Sequence, residues 1–371
     1  MRLCVICPTF QPSKIPCGVG DYTTILVNHI SKLHKLEITV ISSKHYTGEK
    51  NDCIITNYEL NKTLGIIKLF FFLYKQRFDI LLIEYSPPLY DKFLFIINLV
   101  PLLRLFTKTK IIFSFHTLYG NFLSKLMLIP ALIFSCHLIS TNEEIDAIFE
   151  KRLRFFKYKL SSIPIGSNIF PLTMNLSIGD LGKSLGLKEN ILTLIYFGFY
   201  YPGKDIDIFI KALKILKEKG LDFQCIFAGS KWPYTPQYYD EMKKLCTLLN
   251  LDSHCIWTGY LPPEKVALYL SIADISVNPS SAGLTSRNGS VMASVVFNIP
   301  IIGTNVKTSK YFIDNKTCLL FEARNCVELA SCIIKLSQNK ELYNTIKSNL
   351  KELSNIFDWD KIAEEHCKLF E

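Results

Sequence analysis

The chain is predicted to be α/β, with two parallel sheets in two domains, on three observations. Short apolar runs alternate with longer stretches of helical period, and they come in two series separated by a polar gap. With 371 residues, 49% hydrophobic and 20% charged, the chain is globular and long enough for two cores. An apolar run without polar alternation suits a strand covered on both faces, and βα units are the simplest way to cover it.

The first series begins at Arg2-Leu3-Cys4-Val5-Ile6-Cys7 and continues at residues 36–41, 80–83 and 111–113. It closes near Ile163-Pro164-Ile165-Gly166-Ser167-Asn168. Residues 169–188 are polar, glycine-containing and weakly periodic, which predicts a linker. The second series occupies residues 191–197, 223–229, 255–259, 275–277 and 299–303, and the pattern after Lys340 is helical, with Asp358-Trp359-Asp360 opening the last helix. The expected organisation is a Rossmann-like domain over 1–168, a linker over 169–188 and a second Rossmann-like domain over 189–345. A helical segment, 346–371, is free to return to the first domain. The two halves would face a cleft.

Charge is uneven. Residues 1–168 hold 20 Lys and Arg against 12 Asp and Glu, and the remainder holds 22 against 21. The basic half also interleaves cations with aromatic and aliphatic residues over 64–77, 93–110 and 122–134, which suits an anionic membrane surface or, more plainly, helices packed on a sheet. None of these runs approaches the roughly 20 apolar residues of a membrane span. Too few apolar residues precede Pro8 for a secretory signal, so a cytoplasmic location is expected, peripheral to the membrane at most. The twelve cysteines are scattered through apparent core elements. Cys4 and Cys7, the one close pair, would point to opposite faces of a strand and share no metal, so reduced thiols are expected.

Two segments of the second half carry the chemistry. Tyr196-Phe197-Gly198-Phe199-Tyr200-Tyr201-Pro202-Gly203-Lys204 and Ser281-Ala282-Gly283-Leu284-Thr285-Ser286-Arg287-Asn288-Gly289-Ser290 each set a cation and small residues beyond an apolar run. Open α/β sheets bind phosphates there. Lys204 offers a point charge and Arg287 a planar fork for two oxygens, while Gly289 and Ser290 would open a helix with N–H groups facing the same anion. The lysine and arginine are expected to grip one leaving group from opposite halves of the crevice. A solvated loop lysine and a domain-interface ion pair are the plainer alternatives.

In the first half, Gly18 and Gly20 would let backbone approach a ligand. The third glycine of a dinucleotide fingerprint is missing and no acid is suitably placed after the second strand, which disfavours a dehydrogenase. Asp21, Glu84 and His116 fall where the first sheet would open. Each has a structural alternative: a helix cap, a sheet-edge charge and a core histidine. Asp205-Ile206-Asp207 looks like a metal-binding pair but opens a helix with Ile206, Phe209, Ile210, Leu213 and Leu216 on one face. Asp205 is therefore predicted as cap and first-turn charge, and neither metal nor cofactor is expected.

Six segments, in order, resemble the GT-B glycosyltransferases of family four over nearly the whole chain. They are Cys17-Gly18-Val19-Gly20-Asp21-Tyr22, Ser114-Phe115-His116, Ile165-Gly166-Ser167-Asn168, Gly198 to Lys204, Trp257-Thr258-Gly259-Tyr260-Leu261-Pro262 and Ser286-Arg287-Asn288-Gly289-Ser290, the last as in one branch of that family. The resemblance implies sugar transfer from a nucleotide-diphosphate sugar to a lipid-linked or oligosaccharide acceptor, as in surface polysaccharide assembly of the O-antigen or capsule type, with retained configuration. It implies catalytic roles for Lys204, Arg287, His116, Asp21 and Glu84, and donor contacts at Gly18, Gly20, Gly198, Phe199, Gly229, Tyr260, Asn288, Gly289 and Ser290. His116 would orient the sugar rather than take a proton. Two departures stand out. The Glu-x7-Glu pair of many relatives is absent, with Ala293 at the ribose position and no acid between Asp274 and Asp314; Phe199 stands where an arginine is common. A silent, nucleotide-binding subunit or a nucleotide-sugar epimerase therefore remain as alternatives.

Overall fold

The computed structural model describes residues 1–12, 17–43, 53–60, 62–90, 95–118, 122–172, 178–305 and 310–371. The first two residues of the expected 93–110 run and residues 173–177 of the expected linker lie outside them. The chain divides into unit 1, Met1–Gly166 with Asp358–Glu371, and unit 2, Ser167–Phe357.

Unit 1 is a seven-stranded parallel sheet of β1 (Arg2–Ile6), β2 (Glu37–Ser42), β3 (Ile54–Asn57), β4 (Ile80–Tyr85), β5 (Lys110–Phe115), β6 (His137–Ser140) and β7 (Leu160–Ser162). Its spatial order is β3-β2-β1-β4-β5-β6-β7. The crossovers are α1 (Gly18–Leu33), α2 (Thr63–Gln76), α3 (Phe95–Phe106), α4 (Phe122–Phe134) and α5 (Glu143–Lys151). Successive side chains of a strand point to opposite faces. Cys4 and Ile6 thus enter the core beneath α2, α3 and α4, and Leu3, Val5 and Cys7 the core beneath α1. Both faces are covered, which is why these strands read as unbroken apolar runs.

Unit 2 opens with α6 (Ile178–Ser184) and runs through β8 (Leu192–Phe197), α7 (Ile206–Glu218), β9 (Phe223–Ala228), α8 (Gln237–Leu248), β10 (Cys255–Gly259), α9 (Pro263–Ile272) and β11 (Ile275–Asn278). α10 (Gly289–Val296), β12 (Ile301–Thr304), β13 (Leu319–Phe321), α11 (Cys326–Gln338) and α12 (Lys340–Ser354) complete it. The parallel order is β10-β9-β8-β11-β12-β13. Residues 169–188 are not a free linker: Ile169 and Leu187 are buried in the core formed with Ile195, Ile226 and α9. Nor does the boundary fall at 345, because α12 contributes buried Ile346, Leu350 and Leu353. Only α13 (Trp359–Lys368) returns to unit 1, capped by Asp358, whose carboxylate accepts from the Asp360 and Lys361 N–H groups at 3.1 Å. Its buried face, Trp359, Ile362, Ala363 and Cys367, packs with Leu26, Val27 and Ile30 of α1.

Both orders reverse at the first strand of their unit, between β1 and β4 and between β8 and β11. The carboxyl ends at such a switch point form a crevice where α/β folds receive ligands. The twelve cysteines are free thiols.

Candidate functional site

In unit 2, the loops after β8 and β11 flank the switch point. β8 leads into Gly198 and β9 into Gly229, and the two backbones touch: a Cβ on Gly229 would lie 1.8 Å from the Gly198 carbonyl oxygen. Only glycine permits that approach. The loop then turns through Phe199, exposed and edge-on to Trp232 at 5.1 Å, to a 3-10 turn, Pro202–Lys204.

This turn is laced to the loop after β11. Ser280 Oγ donates to the Gly203 carbonyl at 2.9 Å, and the Ser281 N–H donates to Asp205 Oδ2 at 2.9 Å. Asp205 therefore corrects its predicted role. It occupies the N-cap position in a left-handed conformation, φ 48°, but makes no capping bond. Its buried carboxylate joins two loops instead, with Arg324 Nε 3.7 Å away.

The lacing brings Lys204 towards Arg287. Burial, and then the Arg287 charge, push the Lys204 ammonium from 10.5 down to about 8. Its Nζ lies over the face of Tyr201, 5.6 Å from the ring centroid. No carboxylate among the described residues pairs with Lys204. The expectation of cations from opposite halves is corrected, since both belong to unit 2. Asn288 caps α10, its Oδ1 accepting from Ser290 N at 3.2 Å and Ser290 Oγ at 2.7 Å. The Ser290 N–H is thus engaged by the cap, contrary to its expected free state. Gly289 lies beside Asn168, with 3.8 Å from its would-be Cβ to Asn168 Oδ1. Tyr260, at the end of β10, is exposed.

In unit 1, β4 and β5 run in register, Glu84 opposite Ser114, so His116 emerges just beyond the strand end. His116 Nε2 meets Glu84 Oε2 at 2.7 Å, and the Asn142 amide donates to the His116 carbonyl at 3.1 Å. Glu84 has no exposed surface, so the expectation of a direct contact with a ligand is corrected: its carboxylate meets His116 instead. The edge of Tyr22 approaches the His116 ring at 4.9 Å, and the Tyr22 hydroxyl reaches His366 Nε2 at 3.1 Å. Sequence reading missed both Tyr22 and His366. The second lies 344 residues away and leaves no local signal.

The glycines divide. Both belong to α1, not to a loop before it. Gly18 is exposed with open space at its Cβ position, whereas a Cβ on Gly20 would lie 1.9 Å from the Thr9 carbonyl oxygen. Gly20 is therefore corrected from a ligand contact to a packing contact between α1 and the turn after β1. Asp21 lies in the first turn of α1, and the N-cap position belongs to Cys17. Among the described residues, no three His, Cys, Asp or Glu side chains gather as a metal set, and no helix is long and apolar enough to cross a membrane.

Residues 179–353, within unit 2, match the family model described as glycosyl transferases group 1. An uncharacterized glycosyltransferase of Methanocaldococcus jannaschii is 28% identical over 181 residues, 48% of this chain and 47% of that protein. The match thus spans about half the length of that relative. Two solved structures share the fold throughout. A glycosyltransferase from Rickettsia africae has a TM-score of 0.78 at 15% identity, over 100% of this chain and 97% of that one. Anabaena HepE in complex with UDP-glucose has a TM-score of 0.73 at 15% identity, over 99% and 98%. The fold is that of GT-B glycosyltransferases, two parallel-sheet α/β domains.

Proposed function

We propose that this chain is a group 1 glycosyltransferase that moves a sugar from a nucleoside-diphosphate sugar to a lipid-linked or oligosaccharide acceptor, at the cytoplasmic face of a membrane. One observation carries the reading: Lys204, half-buried and without a carboxylate partner among the described residues, lies at the switch point of unit 2 beside Arg287. A lysine placed this way awaits an anion. The HepE structure holds UDP-glucose, and a donor of that class suits the pair.

The chemistry follows from charge. As the bond from the anomeric carbon to the diphosphate breaks, negative charge grows on the leaving oxygen, and fixed cations stabilise it without reorganising. With retained configuration, the departing phosphate takes the acceptor's hydroxyl proton, and no protein base is required. Unit 1 supplies a positioning group. Because Glu84 engages Nε2 of His116, Nδ1 is left to accept from a sugar hydroxyl. The two cations do the electrostatic work that a metal would otherwise do, so the enzyme is expected to be metal-independent. Free thiols throughout are in keeping with a reducing cytoplasm.

The test is to incubate purified protein with a panel of nucleoside-diphosphate sugars and measure released nucleoside diphosphate, with and without chelator. Release that survives chelation and disappears in Arg287→Ala supports the reading. Bound nucleotide without turnover across the panel would favour the silent subunit, and an epimerised sugar would favour the epimerase.

A further inference from the structure

The outer surface of unit 1 over α2, α3 and α4 is apolar where solvent should meet polar groups. α2 carries two apolar stripes. Ile66, Leu69 and Leu73 face the core, while Leu64, Ile67, Phe71 and Tyr74 recur at the same helical spacing and are exposed. On α3, Leu102, Leu105 and Phe106 are exposed, and the Phe106 ring meets Phe70 of α2 edge-on at 6.3 Å, which joins the two stripes. Exposed cations interleave with them: Lys68, Lys75, Arg77 and Arg104. None of α2, α3 and α4 contains an Asp or Glu. A depression lined by Phe71, Tyr74, Lys75 and Arg77 opens on this surface.

A second patch belongs to the same layer. Lys151-Arg152-Leu153-Arg154-Phe155-Phe156-Lys157-Tyr158-Lys159 ends in a 3-10 turn, Arg154–Lys159, whose Phe155 and Tyr158 are 77% and 80% exposed. Lys159 fixes the turn to the C-terminus of α4, donating to the Ile133 and Ser135 carbonyls at 2.9 Å, beside exposed Ile133 and Phe134. Phe156 packs into the core that α2 and α3 cover. The C-terminal ends of α2, α3 and α4 and this turn all lead into strands. They therefore share the edge where the strands begin, opposite the edge bearing Gly18 and His116.

We infer that this edge and the outer face of α2 dock on the anionic headgroup surface of a lipid bilayer. The rings and aliphatic tips would enter the boundary with the acyl chains while the cations pair with lipid phosphates. Charge selects this occupant. Lysine is depleted from the cores of protein–protein interfaces, and a second copy docked symmetrically would set like charges against one another. The inference rests on the transferase reading for its purpose, delivery of a lipid-linked acceptor, and not for its geometry.

The full chain is mixed with phosphatidylcholine vesicles, with and without phosphatidylglycerol, at low and high salt, and sedimented. Wild type should partition onto the anionic vesicles and weaken with salt. Lys75→Gln with Arg77→Gln should lower that partition on the order of 30-fold, from about 1 kcal/mol per cation. Phe155→Ser with Tyr158→Ser should lower it at least roughly tenfold, with the loss persisting at high salt. Thermal melts like wild type show that these exposed changes leave the fold intact. Wild type that binds neither vesicle, variants that bind as wild type does, or a wild-type dimer that Phe71→Ser with Leu105→Ser splits, each overturns the inference. Vesicle binding without nucleotide-sugar hydrolysis would leave it standing and sink the transferase reading instead.

Discussion

The carboxyl ends of the two sheets hold charge in opposite ways. In unit 1 a fully buried carboxylate has its partner, Glu84 meeting His116 at 2.7 Å. In unit 2, Lys204 is half-buried beside a second cation, and burial first, then that neighbouring charge, push its ammonium down to about 8. Burying a charge is unfavourable unless it is paired. In the first arrangement one carboxylate oxygen, Oε2, is held by the imidazole while Oε1 is buried without a partner among the described residues; in the second an anion would relieve the crowded ammonium. On the proposed function, the first would hold a neutral hydroxyl and the second attract a diphosphate.

The largest effects should come from removing the two neighbouring cations. Arg287→Ala and Lys204→Ala are each expected to lower transfer by about 2–5 kcal/mol, roughly 30- to several thousand-fold. Stability should move the other way at position 204. From 10.5 to about 8 is roughly 2.5 units at 1.36 kcal/mol each, which partial solvent exposure reduces to on the order of 1–3 kcal/mol. The folded-state value lies below the unfolded one, so the unfolded chain holds this proton more tightly. The penalty is present in full below a pH of about 8, shrinks as pH rises from there and is gone above 10.5. Lys204→Met should therefore melt higher than wild type at pH 7 while losing activity. Loss of both would make the lysine structural. In wild type, kcat/KM should decline above a pH of about 8 as the free enzyme's ammonium deprotonates.

Glu84→Gln tests the other side of the comparison. The shape is kept and the charge behind His116 removed, so the expected loss is about 1.5–3 kcal/mol in kcat, the worth of a hydrogen bond to a charged group. Nucleotide affinity should not change, because the diphosphate is assigned to unit 2. Equal losses in nucleotide binding and kcat would erase the division between the halves.

The parts that were legible in sequence are those whose physics is local. Parallel strands covered on both faces read as apolar runs, and Lys204 and Arg287 follow such runs directly. The strands that sequence reading missed include β3, β7 and β13. Ile54–Asn57 and Leu160–Ser162 are four and three residues long, lie at sheet edges and are at best half-buried, so no apolar run marks them. Leu319–Phe321 is only three residues long. Glu84 and Gly20 were misread for another reason. What surrounds a strand glutamate or a helical glycine depends on elements far away in sequence, here His116 and Thr9. The basic turn at residues 151–159 drew no notice, since charge runs usually signify solvated surface, and only the exposure of its rings sets it apart.

The two α1 glycines sharpen that lesson. Gly20→Ala places a methyl 1.9 Å from the Thr9 carbonyl oxygen and should destabilise by about 1–3 kcal/mol. Gly18→Ala meets nothing within 4 Å and should be neutral or stabilise by up to about 1 kcal/mol. Chemical denaturation of the pair checks both. If Gly20→Ala keeps full stability but loses donor binding, the sequence-based assignment of Gly20 was right after all.

The smallest expected effect concerns how unit 1 is closed. His366 on α13 is fully buried; Nδ1–H donates to the Ile362 carbonyl at 2.7 Å, which leaves Nε2 to accept from the Tyr22 hydroxyl at 3.1 Å. Burial pushes its pKa below 6.5, opposed by the Ile362 carbonyl and the Glu84 charge. The folded state therefore resists a proton that the unfolded chain takes up freely. The stability it contributes is complete above pH 6.5 and is lost as pH falls below that value, at no more than about 1.4 kcal/mol per pH unit for a single proton. Urea midpoints of wild type and His366→Gln, compared between pH 7 and pH 5, isolate this contribution from the other titrating groups. The wild type should lose more of its midpoint on acidification than the variant. Parallel curves would mean that His366 takes its proton within the fold, and that the Tyr22 hydroxyl beside the His116–Glu84 pair is free to turn away.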